Sequence, residues 1–538
     1  MSADQNNPRV RFALEAYQRG DLARAASLLG ALVREHPQDA QLLHALGVVE
    51  IAWGKFDSAI DYLERALKSE PQNPHALTAL AHAKMNAGAF DDARSRLEEL
   101  IALYPDLPDA HVNLGVVHME CGNAEAAREC YARAIAIKPD FVDAIVKLAW
   151  LSEREHKCEE AHTLASKAVS FAPSNAAANI ALARVRLRMG RQQQAIDQLE
   201  QLIKTSPISE HDVATMRNLI GQAKNKLRRH NEAFVAYDAA NAAYHRLYRS
   251  KTLSTQSTLS PKFINKLSTF FEREDIAAWT MPKKLEGPAP IFLVGFPRSG
   301  TTLLEQILNA HGQIKTIDEK KTLHDLHNEL IMPLGALEKL RAMSGEDVNR
   351  GRQRYWEQVR KQLGDNDVEG VVVDKMPLNT VHLGLIYRLF PEAKIIFALR
   401  DPRDVMMSCF QHRFSMSVAM YQFLRLETAA AYYDQVMSLA ETYFARMPLA
   451  HHLIRYEDVI DDMQTSIADL LAFLDLEWDA RILNYRNSAQ ERWISTPSFE
   501  QVVKPLYTSS IGKWRNYERH LEPVLPILDP WIRKYGYQ

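Results

Sequence analysis

Phosphate-binding residue types follow directly after a short apolar run in the second half of the chain. Residues 291–295 are apolar, as a buried parallel strand would be, and Phe296-Pro-Arg-Ser-Gly-Thr-Thr302 comes next. Helical spacing of apolar residues then begins at Leu303. A strand, a Gly-containing loop and a helix in this order direct N–H donors at an anion. The sequence therefore predicts an anion site, whose candidate residues are Pro297, Arg298, Ser299, Gly300, Thr301 and Thr302.

The same loop lacks the lysine of a nucleoside triphosphate site. Its pattern is Gly295-x4-Gly300 followed by two threonines, so Thr301 stands where the lysine of GxxxxGK[ST] would reach the γ-phosphate. The basic residue lies earlier, at Arg298. Among acidic strand ends, Asp374 is the one that could be argued to hold Mg²⁺. We therefore expect an anion other than a nucleoside triphosphate.

Two further apolar runs end in basic residues. Residues 394–399 are followed by Arg400, and Ser408 lies about two helical turns further on. A guanidinium binds phosphate through two hydrogen bonds, and a hydroxyl adds another donor. Residues 371–375 read as a buried strand that ends at Lys375, which could equally be a solvated lysine. Taken alone, Arg400 could equally form a surface ion pair with Asp401.

These motifs resemble the sulfotransferase family that uses 3′-phosphoadenosine 5′-phosphosulfate (PAPS), and Pro297–Thr302 is most like its tyrosylprotein branch. The resemblance spans roughly residues 290–515. It implies that the loop binds the 5′-phosphosulfate, that Arg400 and Ser408 bind the 3′-phosphate, and that Lys375 neutralises charge on the bridging oxygen. It implies no metal or second cofactor.

The resemblance assigns roles to residues nearer the C-terminus as well. Ser498, in a Ser-x-x-Gln-Val-x-Lys-Pro segment, would bond the 5′-phosphosulfate. Lys513, in a Lys-Trp pair, would close over the phosphates as a lid. Tyr456 matches a common strand of the superfamily and is a candidate for the nucleotide wall, although a core position is equally open.

Sulfuryl transfer to a hydroxyl requires a group that removes the hydroxyl proton. The resemblance implies Glu319 as this general base, a role worth ~10²–10⁴ in rate, in a direct in-line transfer. Asp318 is the competing residue, and Glu319 could instead serve only a helix start. His311 and His324 lie nearby in the sequence, so a histidine base stays open.

The first half of the chain repeats every 34 residues. Prolines recur at Pro37, Pro71, Pro105, Pro139, Pro173 and Pro207. Glycines keep the same period at Gly20, Gly54, Gly88, Gly122 and Gly190, and His156 occupies the remaining place. Alanines follow five residues later at Ala25, Ala59, Ala93, Ala127, Ala161 and Ala195. A third register reads Phe12, Leu46, Leu80, Leu114, Leu148 and Leu182. These registers predict pairs of helices that turn at the glycine, approach closely at the alanine and end at the proline.

The period resembles the tetratricopeptide repeat (TPR) family. Six units span 6–209, and a degenerate unit offset by four residues and a capping helix complete a superhelix over 1–249. The resemblance implies a groove that binds an acceptor peptide or partner protein, while a purely structural or dimerising array, and hence a homo-oligomer, stays open.

The Ser- and Thr-rich stretch after the repeats predicts a connector over 250–284, before the P-loop-like α/β domain at 285–538. We therefore predict an all-α superhelix followed by an α/β domain with a central parallel sheet. The net charge of −2 leaves no bulk basic field for nucleic acid, and no apolar run of ~18 residues predicts a membrane span. The four cysteines form no CxxC pair, which favours a reducing, cytoplasmic location and argues against a zinc site.

The predicted function is a PAPS-dependent sulfotransferase whose acceptor is a protein or peptide tyrosine. A glycan, lipid or small-molecule acceptor stays open, and so does a catalytically silent TPR scaffold. A phosphoryl transferase is disfavoured because Thr301 replaces the lysine and Arg400 and Ser408 occur together.

Overall fold

The computed structural model describes residues 8–254, 256–279, 288–332, 336–364, 370–486 and 510–537. The chain forms two compact units, Met1–Ile208 and Ser209–Gln538. The division between the units thus differs from the boundaries predicted at 249/250 and 284/285. Those boundaries separate the repeats, the connector and the α/β domain, and they stay predictions. Each unit has its own hydrophobic clusters.

The first unit is built from consecutive helix pairs. Its helices are α1 (Pro8–Gln18), α2 (Leu22–Glu35), α3 (Ala40–Trp53), α4 (Phe56–Ser69), α5 (Pro74–Asn86), α6 (Phe90–Leu103), α7 (Pro108–Glu120), α8 (Ala124–Ile137), α9 (Val142–Arg154), α10 (Cys158–Phe171), α11 (Ala176–Arg188) and α12 (Gln192–Thr205). The periodic alanines are at most 1% exposed, so each lies in the packed interior of the helix pairs.

The turn within each pair requires a left-handed residue. The periodic glycines have φ between +76° and +79°, and His156 takes the same region at φ +61°. A side chain in this region costs roughly 1–2 kcal/mol, so His156 shows that the packing of the repeat imposes the turn even without glycine. Phe12, in the first repeat, is 49% exposed, unlike its buried equivalents such as Leu46.

The second unit begins with one more helix pair and continues into alternating strands and helices. Its helices are α13 (Glu210–Lys226), α14 (His230–Ser254), α15 (Pro261–Arg273), α16 (Thr301–Asn309), α17 (His324–Leu330), α18 (Ala336–Ala342), α19 (Gly345–Leu363), α20 (Leu383–Leu389), α21 (Pro402–Gln411), α22 (Val418–Gln422), α23 (Leu426–Arg446), α24 (Tyr456–Asp461), α25 (Met463–Phe473), α26 (Glu518–Leu521) and α27 (Leu525–Lys534). Short 3₁₀ helices lie at Ile276–Ala278, Pro377–His382, Ala480–Asn484, Lys513–Tyr517 and Glu522–Val524.

A parallel sheet forms the centre of the second unit. Its strands are β1 (Ile291–Gly295), β2 (Ile314–Asp318), β3 (Val371–Lys375), β4 (Lys394–Leu399) and β5 (Ala450–Arg455). Their order is β2-β3-β1-β4-β5, and every neighbouring pair is parallel. The helical first unit and this five-stranded parallel sheet confirm the predicted fold class.

Alternate residues of the central strands pack into two hydrophobic cores, one on each face of the sheet. Phe292 and Val294 belong to the larger cluster, whereas Ile291 and Leu293 belong to the smaller one. Because both faces are covered, the strands read as continuous apolar runs, as the sequence predicted.

Helices α14 and α15 contribute to the larger core. Its buried members include Tyr237 from α14 and Leu267 and Phe271 from α15. The pair α13–α14 is also hydrogen-bonded to the end of α21. The side-chain amides of Asn218 and Asn241 donate to the carbonyls of Gln411 and Phe410, at 3.1 and 2.9 Å. The pair α13–α14, the last helix pair with the form of a repeat, is therefore part of the body that contains the sheet.

In the part of the chain that the structure describes, none of the helices is both long and apolar enough to cross a bilayer.

Candidate active site

The carboxyl ends of the five strands meet at one edge of the sheet, where ligands of open α/β sheets bind. The register pairs Gly295 of β1 with Ala398 of β4, Asp318 of β2 with Lys375 of β3, and Leu399 of β4 with Arg455 of β5. As a result, the predicted residues that follow these strands gather at this edge. They are the 296–302 loop, Glu319, Lys375, Arg400 and Tyr456.

The loop after β1 is held in an unusual backbone conformation. Arg298 has φ +72° and Gly300 has φ +91°. A Cβ on Gly300 would lie 2.6 Å from Cδ2 of Tyr456, so a side chain at this position would require the Tyr456 ring to move. The start of the loop is fixed by Thr380, whose Oγ1 accepts a 3.0 Å hydrogen bond from the amide of Gly295. The helix α16 begins at Thr301, which places its N-terminus at the loop.

The guanidinium groups of Arg298 and Arg400 lie in the same small region. Arg298 Nε donates to Ser408 Oγ at 2.9 Å, and Arg400 donates to the carbonyl oxygens of Arg298 and Ser510 at 3.2 and 2.7 Å. The Arg400 guanidinium lies 4.8 Å from the centre of the Tyr456 ring. Its Nε is buried and has no hydrogen-bond partner among the described residues. The two segments that the sequence predicted separately thus meet, and they present two cations together.

The electrostatics of this region favour an anion. Burial lowers the pKa of Arg298, and the neighbouring Arg400 adds to the lowering. A guanidinium whose charged form is disfavoured in this way gains from a bound negative charge. The site therefore favours an anionic group such as phosphate.

Lys375 and Glu319 form an ion pair beside the loop. Lys375 Nζ lies 2.9 Å from Glu319 Oε1 and also contacts Asp318. Burial alone lowers the pKa of Lys375, but the charges of Glu319 and Asp318 outweigh it, so that the pKa lies above its ordinary value. Glu319 itself has φ +49°, and its amide donates to the Lys375 carbonyl at 2.9 Å. Lys375 is therefore a buried cation at the end of β3.

A cavity of about 730 Å³ opens at this edge of the sheet. Its wall includes most of the predicted residues: Pro297, Arg298, Gly300, Thr301, Thr302, Glu319, Arg400 and Tyr456. Its described wall does not include Ser299, Lys375, Ser408 or Lys513. This volume is in the range of small-molecule sites in proteins, so one cavity joins the two arginines to Glu319.

The competing base candidates occupy different places. Asp318 contacts Lys375 but is not part of the described cavity wall. His311 Nε2 lies 3.0 Å from the carbonyl of Glu477, away from that wall, whereas His324 lines the cavity. Glu319 and His324 are thus the candidate bases that face the cavity.

The C-terminal segment carries two of the predicted residues. Lys513 is exposed at the start of a 3₁₀ helix. This helix is held by Asp404, whose carboxylate accepts hydrogen bonds from the amides of Gly512 and Trp514 at 2.7 and 2.8 Å. Ser498 lies outside the described residues.

Several residues of the cavity wall were not predicted from the sequence. Thr322 and Asn379 line it, as does the segment Gln256–Leu259, which the sequence assigned to the connector. His327 and His382 also line the cavity and stack with ring centres 3.4 Å apart. Burial lowers the pKa of His382 to about 3 and that of His327 well below its ordinary value, so both imidazoles are uncharged at neutral pH.

Comparisons with known proteins agree with this arrangement. Residues 290–480 match the family model described as the sulfotransferase family. Residues 10–75, 50–106, 85–151 and 178–207 match models of the tetratricopeptide repeat. Among the described residues, no group of three or more His, Cys, Asp or Glu side chains is arranged to hold a metal ion.

Individual relatives are distant. An uncharacterized protein from Aquifex aeolicus is 31% identical over 263 residues, which cover 46% of this chain and 34% of that protein. Protein-tyrosine sulfotransferase 1 from Danio rerio is 21% identical over 263 residues, covering 46% of this chain and 72% of that protein. A tetratricopeptide repeat protein from Parabacteroides merdae is 20% identical, with a TM-score of 0.37, covering 44% of this chain and 92% of that one. The chain thus spans about a third of the length of its Aquifex relative.

Proposed function

Because the chain joins tetratricopeptide repeats to a domain of the sulfotransferase family, we propose that it transfers a sulfuryl group from PAPS to an acceptor hydroxyl. One observation carries the proposal. Arg298, Arg400 and Glu319 all line one cavity at the sheet edge, and the Arg400 guanidinium donates to the backbone carbonyl of Arg298. A nucleotide with negative groups at its two ends fits such a pair of cations.

The donor would lie with its phosphates on the two arginines. The amides of the 296–302 loop and the N-terminus of α16 would bind the 5′-phosphosulfate, and Arg400 with Ser408 would bind the 3′-phosphate. Tyr456 would form part of the nucleotide wall, beside Gly300. In the structure Ser408 accepts a hydrogen bond from Arg298, so this bond would rearrange or be shared when the phosphate binds.

PAPS supplies the sulfuryl group. The residues of this chain would accept the proton of the acceptor and stabilise the negative charge on the leaving group. Glu319 would accept the proton of the acceptor hydroxyl as its oxygen forms a bond to sulfur. The bond from sulfur to the 5′-phosphate oxygen breaks, and its electron pair leaves with 3′-phosphoadenosine 5′-phosphate (PAP). Arg298, which lines the cavity, would stabilise the charge that develops on this leaving oxygen, and Lys375 would add to this from behind Glu319, outside the described cavity wall.

The preference for Glu319 over Asp318 rests on position. Glu319 lines the cavity and its side chain is 40% exposed, whereas Asp318 is not part of the described wall. Its contact with Lys375 keeps the carboxylate next to the cation that would serve the leaving group.

The acceptor that we propose is a tyrosine of a protein or peptide. The cavity wall carries three exposed cations, Lys320, Lys321 and Arg413, which favour acidic sequence around the acceptor. Several relatives are named protein-tyrosine sulfotransferases. The repeats of the first unit would recruit the acceptor protein or another partner.

Transfer of labelled sulfate from PAPS to a panel of tyrosine peptides, glycans and phenols tests the proposal directly. We expect transfer to acidic tyrosine peptides and no transfer when PAPS is omitted. Transfer to glycans or phenols alone would replace the proposed acceptor and leave the reaction class intact.

Calorimetry with PAP and with ATP separates the remaining alternatives. We expect PAP to bind with micromolar or better affinity, and ATP to bind far more weakly because Thr301 stands in place of the triphosphate lysine. Binding of PAP without transfer to any acceptor would favour a silent scaffold. Tighter binding of ATP than of PAP would overturn the proposal.

A further inference from the structure

We propose that Asp374 is a positioning residue, which fixes the segment 319–322 through a hydrogen bond from Thr322 and thereby holds Glu319 in place. This inference rests on the proposed function of Glu319 as the base. The sequence offered Asp374 only as an arguable magnesium ligand, and the proposed mechanism does not use it.

Two consecutive residues of β3 hold the segment at both ends. Lys375 pairs with the Glu319 side chain at 2.9 Å, and its carbonyl accepts the Glu319 amide. On the other face of the strand, Asp374 Oδ2 accepts a 2.6 Å hydrogen bond from Thr322 Oγ1. The same oxygen accepts a 3.0 Å hydrogen bond from the hydroxyl of Tyr355 in α19. The short segment between these two anchors therefore has little freedom to move.

The backbone of this segment needs such anchors. Glu319 adopts φ +49°, a left-handed conformation that a side chain disfavours by roughly 1–2 kcal/mol. Such conformations persist only where the surrounding structure holds them. The register of β2 on β3 fixes the backbone before Glu319, at Asp318. Beyond Glu319, the bond between Thr322 and Asp374 is the buried side-chain contact that prevents relaxation.

Burying the Asp374 carboxylate costs free energy that a purely structural position would not require. It is completely buried, and its Oδ1 has no hydrogen-bond partner among the described residues. Burial raises the pKa of Asp374 to about 6, although the hydrogen bonds from Thr322 and Tyr355 act in the opposite direction. An apolar residue in a core position avoids this cost. A charged acceptor is justified here because a bond to a carboxylate is stronger than a neutral one.

Variants of the two donors separate positioning from structure. Thr322→Val removes the bond to the segment, Thr322→Ser restores a donor, and Tyr355→Phe removes the other bond to the same oxygen without touching the segment. We expect Thr322→Val to lower kcat by about 10²-fold with an unchanged KM for PAPS, since small misplacements of a reacting group have effects of this size. Thr322→Ser should recover most of the rate, and Tyr355→Phe should keep kcat within about threefold of the wild type.

A second measurement does not depend on turnover. Hydrogen exchange of the peptide that contains residues 319–324, in the full-length protein, should become faster in Thr322→Val and stay unchanged in Tyr355→Phe. Equal effects of these two variants on kcat and on exchange would reduce Asp374 to a structural residue and overturn the inference. If the wild type transfers no sulfuryl group, the proposed function fails, and the exchange experiment still decides whether Asp374 anchors the segment.

Discussion

Arg400 combines several features of a phosphate ligand at the scale of a single residue. It follows β4, stacks on Tyr456 and keeps a buried Nε without a partner among the described residues. We expect Arg400→Gln to weaken PAP binding by about 10- to 150-fold, since charge-assisted hydrogen bonds contribute about 1.5–3 kcal/mol. Arg400→Lys should restore little, because an ammonium cannot make the planar paired contacts of a guanidinium.

Calorimetry with PAP measures this loss. Arg354→Gln is a suitable control, because this exposed arginine pairs with Glu329 on the surface. Equal PAP affinity in Arg400→Gln and the wild type would remove Arg400 from the phosphate site.

Glu319 and Asp318 give a matched pair of adjacent carboxylates. Both contact Lys375, but Glu319 alone of the two belongs to the described cavity wall. We expect Glu319→Gln to lower kcat by ~10²–10⁴ with PAP affinity retained, as for loss of a general base. Asp318→Asn should have a clearly smaller effect. A larger loss in Asp318→Asn, measured with PAPS in the same assay, would transfer the role to Asp318.

The buried carboxylate of Asp374 makes the free energy of unfolding depend on pH. Its folded-state pKa of about 6 lies above the usual value of 3.8. The folded state therefore holds this proton more tightly than the unfolded state, and the stability contribution is fully present below pH 4 and is lost as pH rises through 6. The loss is on the order of 3 kcal/mol.

We expect Asp374→Asn to remove this pH dependence from the free energy of unfolding. The difference in stability between the variant and the wild type should shift in favour of the variant between pH 4 and pH 7. Denaturant unfolding at both pH values measures it, and a difference that stays constant would contradict the raised pKa.

At the scale of elements, the last helix pair supports the helix that carries Ser408. Asn218 of α13 and Asn241 of α14 donate to carbonyls of Gln411 and Phe410 at the end of α21, where a helix lacks internal partners. We expect Asn218→Ala and Asn241→Ala each to reduce the unfolding free energy of the second unit by about 1–2 kcal/mol. Asn86→Ala is the matched control, because the Asn86 amide bonds a carbonyl of its own helix in the first unit. Denaturant unfolding would show whether the three variants differ.

The elements themselves were largely predictable, because their signals are local. The period of 34 residues marked the helix pairs, since turn, close approach and helix end recur at fixed positions, and even His156 keeps the turn of its missing glycine. The apolar runs before Arg298 and Arg400 marked β1 and β4. Their meeting at one edge follows from the parallel sheet.

Contacts that depend on distant partners were not predictable. The Ser- and Thr-rich stretch after the repeats suggests a linker by composition, yet 256–259 lines the cavity and Leu267 of α15 lies in the core. Neither His327 nor His382 belongs to a motif, and only the fold stacks them. The bond between Thr322 and Asp374 joins the segment after β2 to β3, 52 residues further along the chain.

At the scale of the whole molecule, the division at Ile208 predicts where the chain can be cut. A protein of residues 209–538 should fold and bind PAP like the full chain, because the cavity and its larger core lie within these residues. A protein of 250–538 should aggregate or unfold, because it lacks Ala233 and Tyr237, which are buried in that core. Circular dichroism melts and PAP calorimetry compare the two. Equal stability of both would show that the last helix pair is dispensable.

Under the proposed function, a cut at residue 208 would also separate donor binding from acceptor recruitment. We expect residues 209–538 to sulfate a short tyrosine peptide at the full rate and to show a raised KM for an acceptor protein that the repeats recruit. An unchanged KM for every acceptor protein would leave the repeats with a role in assembly alone.

The helix pair α13–α14 has the form of a repeat but belongs to the body that holds the sheet. Whole units of 34 residues could therefore be duplicated or lost ahead of it without altering any internal contact of that body. Length variation among close homologues should accordingly come in multiples of one repeat and stop short of Ser209, while the pair that follows stays with the half that contains the sheet.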